Sequence, residues 1–336
     1  MENSENYPIL VAGAGSWGTA LAIVLARNDH KVYLWDIASE HIRLLQEERV
    51  NSRYLPGIEL PELLVPVTNF TDHLKEVKDV VIAVPCNSLR DILKVLANNS
   101  HTDLNICLAC KGLETGTQKL NHQVVQECLG DIPTAVLSGP SFAREVAQGL
   151  PTAVTIASGD IAIAEHFADY FHNDVFRIYT HDDIVGVQVG GAVKNIMAIA
   201  AGIADGLGFG ANTRAALITR GLVEIIRLGV ALGGRQETFM GLAGLGDLVL
   251  TCTDDQSRNR RLGLLLAKGK NVDDALREID QVVEGVRTAS EVMKLSKKYQ
   301  IEMPISEQVF NVLHGDTSPA DAVQMLLSRD PKPELQ

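Results

Sequence analysis

Residues 184–204, IVGVQVGGAVKNIMAIAAGIA, form a run of apolar and small residues that carries a single formal charge, Lys194. A helix of that length could span a bilayer, but a central lysine costs about 2.5–3.5 kcal/mol there, and Gln188 and Asn195 add to it. The run is therefore read as a helix buried on most sides of a soluble protein. Its small residues, among them Gly190, Gly191, Ala192, Ala198, Ala200 and Ala201, let other backbone or a ligand approach closely. Lys194 must then face an anion or a wet cleft. A lysine so placed commonly packs its stem and sends its head to water. Here its immediate neighbours are too small to cover the stem, and Asn195 follows as a polar partner. A partly desolvated ammonium has a lowered pKa, which suits acid/base work on a carbonyl or alcohol.

A chain of 336 residues with 46% hydrophobic content can bury a large core, and its length argues for two domains. Its formal charge of −12 disfavours nucleic acid as a partner, because a phosphate backbone needs a basic footprint. An anionic substrate must be held by local positive charge. The start, MENSENY, is polar and acidic and runs into a strand-like segment, without the n-region or h-region of a secretory signal, so a cytoplasmic location is expected. Five cysteines are an odd number for a disulfide framework, and Cys107-x-x-Cys110 has no second pair at zinc-ligand spacing, so no metal site is expected.

The N-terminal half alternates strands and helices. PILVAG at 8–13 is followed by Gly13-Ala-Gly15-Ser16-Trp17-Gly18 and then by the helix-period segment TALAIVLARN. This is the strand, turn and helix context of a dinucleotide-binding fingerprint. Gly13 makes the tight turn, Gly15 admits the pyrophosphate, Gly18 lets helix and strand pack, and the helix N-terminus offers free amides. The second strand, KVYLW, ends at Asp36, which either accepts from an adenosine ribose or is a solvent-facing loop acid. Further strands are read in LLVPVT, DVVIAV, NICLAC, TAVL, PTAVTIAS and VFRIYT, with Ser88 as the cap of the helix SLRDILKVLA. After about residue 182 the strand signals vanish. The expected architecture is α/β: an N-terminal Rossmann-like doubly wound sheet with a small extension over 1–181, and an all-helical domain over 182–336.

Several polar residues interrupt this frame. Lys111 sits at a carboxyl strand end, where a phosphate-bearing ligand would make it a contact. Ser138-Gly139-Pro-Ser141 is a turn able to place amides and a hydroxyl against a ligand, or simply a strand, turn and helix cap. Asp247 follows three glycines in an apolar setting and is read as a helix cap or as a carboxylate that orients Lys194. Ser257-Arg258-Asn259-Arg-Arg opens a helix, which Ser257 caps; the first turn and Arg258 then suit a phosphate.

Taken in order, GAGSWGTALA, Lys111-Gly-Leu-Glu, SGPSFA, VGGAVKNIMAIAAG, GLAGLGDLVLTC and SRNRRLG resemble the bacterial NAD(P)-dependent glycerol-3-phosphate dehydrogenase family, over nearly the whole chain. The resemblance implies a helical domain like that of 6-phosphogluconate dehydrogenase. It also implies reversible hydride transfer between a reduced nicotinamide and dihydroxyacetone phosphate, giving sn-glycerol 3-phosphate for phospholipid synthesis. It makes Lys194 the acid/base and places Lys111, Gly139, Ser141, Asp247, Ser257, Arg258 and Asn259 against substrate. Ser16, Trp17, Lys111, Ala143, Arg258, Val282 and Glu284 fall at cofactor positions. No membrane span is implied, and a homodimer is left open. Where many bacterial members carry His or Arg after the second strand, this chain has Asp36-Ile37. A carboxylate there repels a 2′-phosphate, so NAD is expected over NADP; against this, the family position aligns better with Ile37, and Arg43 and Arg53 lie in the segments that follow. The competing readings are a related two-domain 3-hydroxyacid dehydrogenase and a cofactor-binding sensor without chemistry.

Overall fold

The computed structural model describes residues 7–99, 104–331 and 333–334. Strands β1 (Ile9–Ala12), β2 (Val32–Trp35), β3 (Leu64–Val67), β4 (Asp79–Ile82), β5 (Asn105–Leu108), β6 (Thr134–Ser138), β7 (Thr152–Ala157) and β8 (Phe176–His181) make one sheet, in the order β3-β2-β1-β4-β5-β6-β7-β8. Neighbours pair in parallel except β6 with β7. Every residue of β1 and β4 is buried, which is why these strands read as unbroken apolar runs rather than as alternating ones. Helices α1 (Ser16–Arg27), α2 (Ser39–Glu48), α3 (Leu89–Asn99), α4 (Asn121–Leu129), α5 (Ala143–Gln148) and α6 (Ile161–Phe171) lie between the strands. The strand order reverses between β1 and β4, the kind of switch point beyond whose carboxyl strand ends open α/β sheets take their ligands.

The rest of the chain is helical: α7 (Ile184–Gly206), α8 (Ala211–Ala231), α9 (Asp247–Thr253), α10 (Arg258–Ala267), α11 (Val272–Ile279), α12 (Glu284–Tyr299), α13 (Pro304–His314) and α14 (Pro319–Leu327). Helix α7 is buried continuously from Gly186 to Ala204, packed by α8, α9, α10, α12 and α13. By length and composition alone it could cross a membrane, but 89% of its most apolar window is covered by protein. Its small residues let backbones meet: a Cβ on Gly202 would come within 2.1 Å of the Arg260 carbonyl, and one on Gly263 within 2.1 Å of the Ile199 carbonyl.

Ser88 is not a helix cap. It closes a 3-10 turn, Cys86–Ser88, that runs straight into α3, and its amide donates to the Pro85 carbonyl at 2.8 Å. Nor does Asp247 cap α9, because Gly246 holds that position and frees the carboxylate for longer-range partners.

Candidate active site

The glycine turn joins β1 to α1 at this switch point. Gly13 has φ +110, and a Cβ there would lie 2.8 Å from the carbonyl of Ala83, just past β4, so only glycine lets the two strand ends sit side by side. A Cβ on Gly18 would strike the Gly13 carbonyl at 1.8 Å, which fixes the helix start against the turn. At Gly15 a Cβ would meet nothing within 4 Å: this side of the turn is open. Gly15 is the N-cap of α1 and supplies no side chain, so the amides of Ser16 and Trp17 are left without a side-chain cap. The buried indole Nε1 of Trp17 also has no partner. An open cradle lined by orphan amides fits a dinucleotide pyrophosphate.

Asp36 leaves β2 beside this turn. Its Oδ2 accepts from the Ala14 amide at 2.9 Å and its Oδ1 from the Ala38 amide at 3.0 Å, so it is anchored to the turn itself rather than free in a loop. Ile37, next to it, is exposed. Ala143 begins α5 and packs against the core under the sheet.

Two lysines meet one carboxylate where the helical part covers the sheet edge. Lys194 Nζ donates to Asp247 Oδ1 at 2.5 Å and to Thr251 Oγ1 at 2.8 Å. Lys111, just past β5, donates to Asp247 Oδ2 at 2.7 Å and to the Gly139 carbonyl at 3.0 Å. Ser141 Oγ donates to the same carbonyl at 3.0 Å, and Gly139 can offer it because its φ of +145 suits glycine. Burial pushes the Lys194 ammonium down to about 8; the Asp247 carboxylate opposes the fall and the Lys111 charge adds to it. The result is a desolvated ammonium able to give up its proton near neutral pH, beside a second cation and over a fixed carboxylate.

Asn195 does not partner Lys194. Adjacent helical residues point about 100° apart, and Asn195 Oδ1 instead accepts from Asn259 Nδ2 at 3.0 Å. Asn259 Oδ1 in turn accepts from the Gly285 amide at 2.9 Å, so the middle of α7 is tied to the first turns of α10 and α12. Ser257 caps α10, its Oγ accepting from the Arg260 amide at 3.2 Å. Arg258 reaches the carbonyl of Val282 at 3.2 Å. Burial lowers its pKa, against the pull of Glu284. Glu284 is itself raised by burial, with the Cys86 amide opposing, and this contact joins the helical part to the loop after β4. Arg260, two residues on, is bound to Asp205 at 2.5 Å and Asp255 at 2.9 Å, so part of the basic run braces the fold.

The residues singled out in sequence therefore fall into a glycine turn with Asp36, a Lys194–Asp247–Lys111 centre reaching Gly139 and Ser141, and a helix start at 257–259 reaching Val282 and Glu284. Sequence reasoning passed over Thr251, whose place one turn after Asp247 on α9 was its available signal, and Asn51, which holds the Ala14 carbonyl at 2.9 Å.

Family models for the N-terminus and C-terminus of NAD-dependent glycerol-3-phosphate dehydrogenase match residues 8–164 and 183–324. A glycerol-3-phosphate dehydrogenase (NAD(P)+) of Nitrosococcus oceani is 54% identical over 333 residues, 99% of this chain and 97% of that one. One of Bartonella henselae is 51% identical, over 97% of this chain and 96% of that one. The crystal structure of glycerol-3-phosphate dehydrogenase from Coxiella burnetii superposes with a TM-score of 0.94 at 48% identity, covering 96% of this chain and 99% of the other. With both halves matched in order and relatives half identical along its whole length, the chain belongs to the NAD-dependent glycerol-3-phosphate dehydrogenase family.

Proposed function

We propose that the chain interconverts dihydroxyacetone phosphate and sn-glycerol 3-phosphate with NAD(H) or NADP(H), and that Lys194 is its acid/base. The observation that carries this reading is the buried Lys194, brought to about 8 and aimed by the Asp247 carboxylate at 2.5 Å. A buried cation costs stability, and a protein that only bound cofactor would have no use for it.

The bound nicotinamide supplies or takes the hydride. In reduction, C2 of the ketone develops alkoxide character; the Lys194 ammonium stabilises that charge and then protonates it, and the reverse reaction returns the proton to the amine. Asp247 keeps Lys194 charged and oriented while Lys111 adds positive charge to the same centre. The substrate phosphate lies at the α10 start, against Arg258 and the amides after Ser257, which fixes C2 by proximity. Gly13, Gly15, Ser16, Trp17 and Gly18 hold the dinucleotide, with Asp36 at its ribose and Ala143, Val282 and Glu284 along its length. In this reading residues 1–181 bind cofactor and 182–336 bind substrate. The reading includes a cytoplasmic enzyme, in keeping with an α7 whose apolar surface is spent on protein neighbours.

The test is cofactor oxidation against a panel of phosphorylated and unphosphorylated ketones. Dihydroxyacetone phosphate should be preferred, and Lys194→Ala should lower kcat by about 10²–10⁴-fold with cofactor binding retained. Near-wild-type turnover by that variant would reject the acid/base role.

A further inference from the structure

Ala14, between the first two glycines of the turn, is gripped on both sides. Its amide donates to Asp36 Oδ2 at 2.9 Å. Its carbonyl accepts from Asn51 Nδ2 at 2.9 Å and from Thr19 Oγ1 at 3.3 Å, and lies 3.1 Å from His41 Nε2. Asn51 stands in the turn after α2 and is fully buried. Its Nδ2 also donates to Thr19 Oγ1 at 2.8 Å and its Oδ1 accepts from the Tyr54 amide at 3.1 Å, so both ends of the side chain are committed to this knot.

The geometry has a directional consequence. In a planar trans peptide the carbonyl of one residue and the amide of the next point opposite ways. Asn51 draws the Ala14 carbonyl into the protein, which turns the Gly15 amide the opposite way, and a Cβ on Gly15 meets nothing within 4 Å. The same hold keeps that carbonyl from the Gly18 amide, its partner had α1 begun one residue earlier. Among the described residues, the amides of Gly15, Ser16, Trp17 and Gly18 accordingly have no acceptor.

We propose that Asn51 is a positioning residue for the cofactor: by holding the Ala14 carbonyl it aims the Gly15 amide, and leaves the first amides of α1, for the pyrophosphate. This rests on the reading that the glycine turn receives the pyrophosphate, so the experiment includes a variant that tests the turn alone.

Cofactor dissociation constants are measured by titration calorimetry for the wild type, Asn51→Ala, Asn51→Asp and Gly15→Ala, with Tm and kcat for each. Asn51→Ala should weaken cofactor binding about 10–100-fold, the value of a lost hydrogen bond to a charged group, while kcat at saturating cofactor stays within about twofold, since no reacting atom is touched. Asn51→Asp keeps the shape and the acceptor for Tyr54 but sets an oxygen against the Ala14 carbonyl. It should bind poorly near pH 8 and recover towards about pH 5.5, where the buried carboxyl takes up a proton it can donate to that carbonyl. Asp36, His41, Arg53 and Tyr54 surround the same turn, so the wild type measured across the same range sets the baseline. Unchanged affinity in Asn51→Ala overturns the proposal. So does a loss in Asn51→Asp that ignores pH and follows a lowered Tm, for Asn51 would then serve only the fold. Gly15→Ala must also weaken binding; if it does not, the turn is not the pyrophosphate site and the underlying reading falls with the inference.

Discussion

Replacing Asp247 by Asn should move the pH dependence of ketone reduction, and the structure sets direction and size. Lys194 must be protonated to act as the donor, so wild-type kcat should fall as pH rises through about 8. Burial has lowered the ammonium to that value and the Asp247 carboxylate, 2.5 Å away, is what opposes a deeper fall. An opposite charge at this range is worth about 1–3 pKa units, so its removal should bring Lys194 to about 5–7. At pH 8 the protonated fraction then drops from about one half to about one tenth or less. A loss of at least about fivefold follows from protonation alone, before any misalignment. The part due to protonation returns when the assay is acidified; the part due to geometry does not. kcat is followed from about pH 5 to about pH 9.5, which covers the range of about 5–8 spanned by the two proteins, with both substrates saturating. A variant whose alkaline limb stays at about 8, or moves upward, would refute the account of Asp247 as the charge that keeps Lys194 protonated.

The other expectations concern the phosphate, the cofactor and the fold. Arg258→Ala should impair turnover of dihydroxyacetone phosphate far more than that of dihydroxyacetone, and equal losses would place the phosphate elsewhere. Asp36→Asn should narrow the gap in kcat/KM between NADH and NADPH by relieving repulsion of a 2′-phosphate, and a wild-type preference for NADPH would sink the idea. At the amino end of the central strand β4, buried Asp79 accepts from His166 Nε2 at 2.7 Å and Tyr170 Oη at 3.0 Å. The Asp79 carboxyl is held low by His166, Asn105 and Tyr170, against burial, and contributes stability above about 3.8, lost as pH falls through its folded value. His166 is raised by the hydrogen bond to Asp79, so its contribution is full below 6.5 and is lost as pH rises through its own folded value. His166→Ala should therefore cost more stability near pH 5.5 than near pH 8.5, a difference of about 1 kcal/mol or less because His166 is partly exposed, read as a larger fall in Tm at the lower pH; an equal fall at both pH values would rule out the ion pair.

Much of this molecule was legible from local pattern. The strand, glycine turn and helix at 8–27, the loss of strand signals after residue 182 and the buried helix at 184–204 all follow from hydrophobic period and turn chemistry, because the hydrogen bonds that make those elements are local or repeat along a ladder. The need of Lys194 for an anion was equally readable, since a charge in such a run cannot be left alone. Ser257 announced itself as a cap because an N-cap is satisfied within three residues.

Partners across the chain were another matter. Lys111 and Asp247 are separated by 136 residues and Lys194 and Asp247 by 53, and only the sheet order and the packing of α9 on α7 bring them to one point. The neighbour in sequence, Asn195, faces α10, while Thr251, on another helix, reaches Lys194. Of the basic run, Arg260 turned to Asp205 and Arg258 to Val282, a division set by helical phase against neighbours that the run itself does not name. The same holds for Asp36 and Asn51, ordinary polar residues in their own segments: each grips Ala14 because parallel pairing sets the end of β2 beside that of β1 and the turn after α2 packs against it. Sequence determined the elements, the chemistry available to each and the charge that had to be answered; tertiary packing decided which groups answer it, because side-chain contacts between distant segments depend on relative orientation, which no local period encodes.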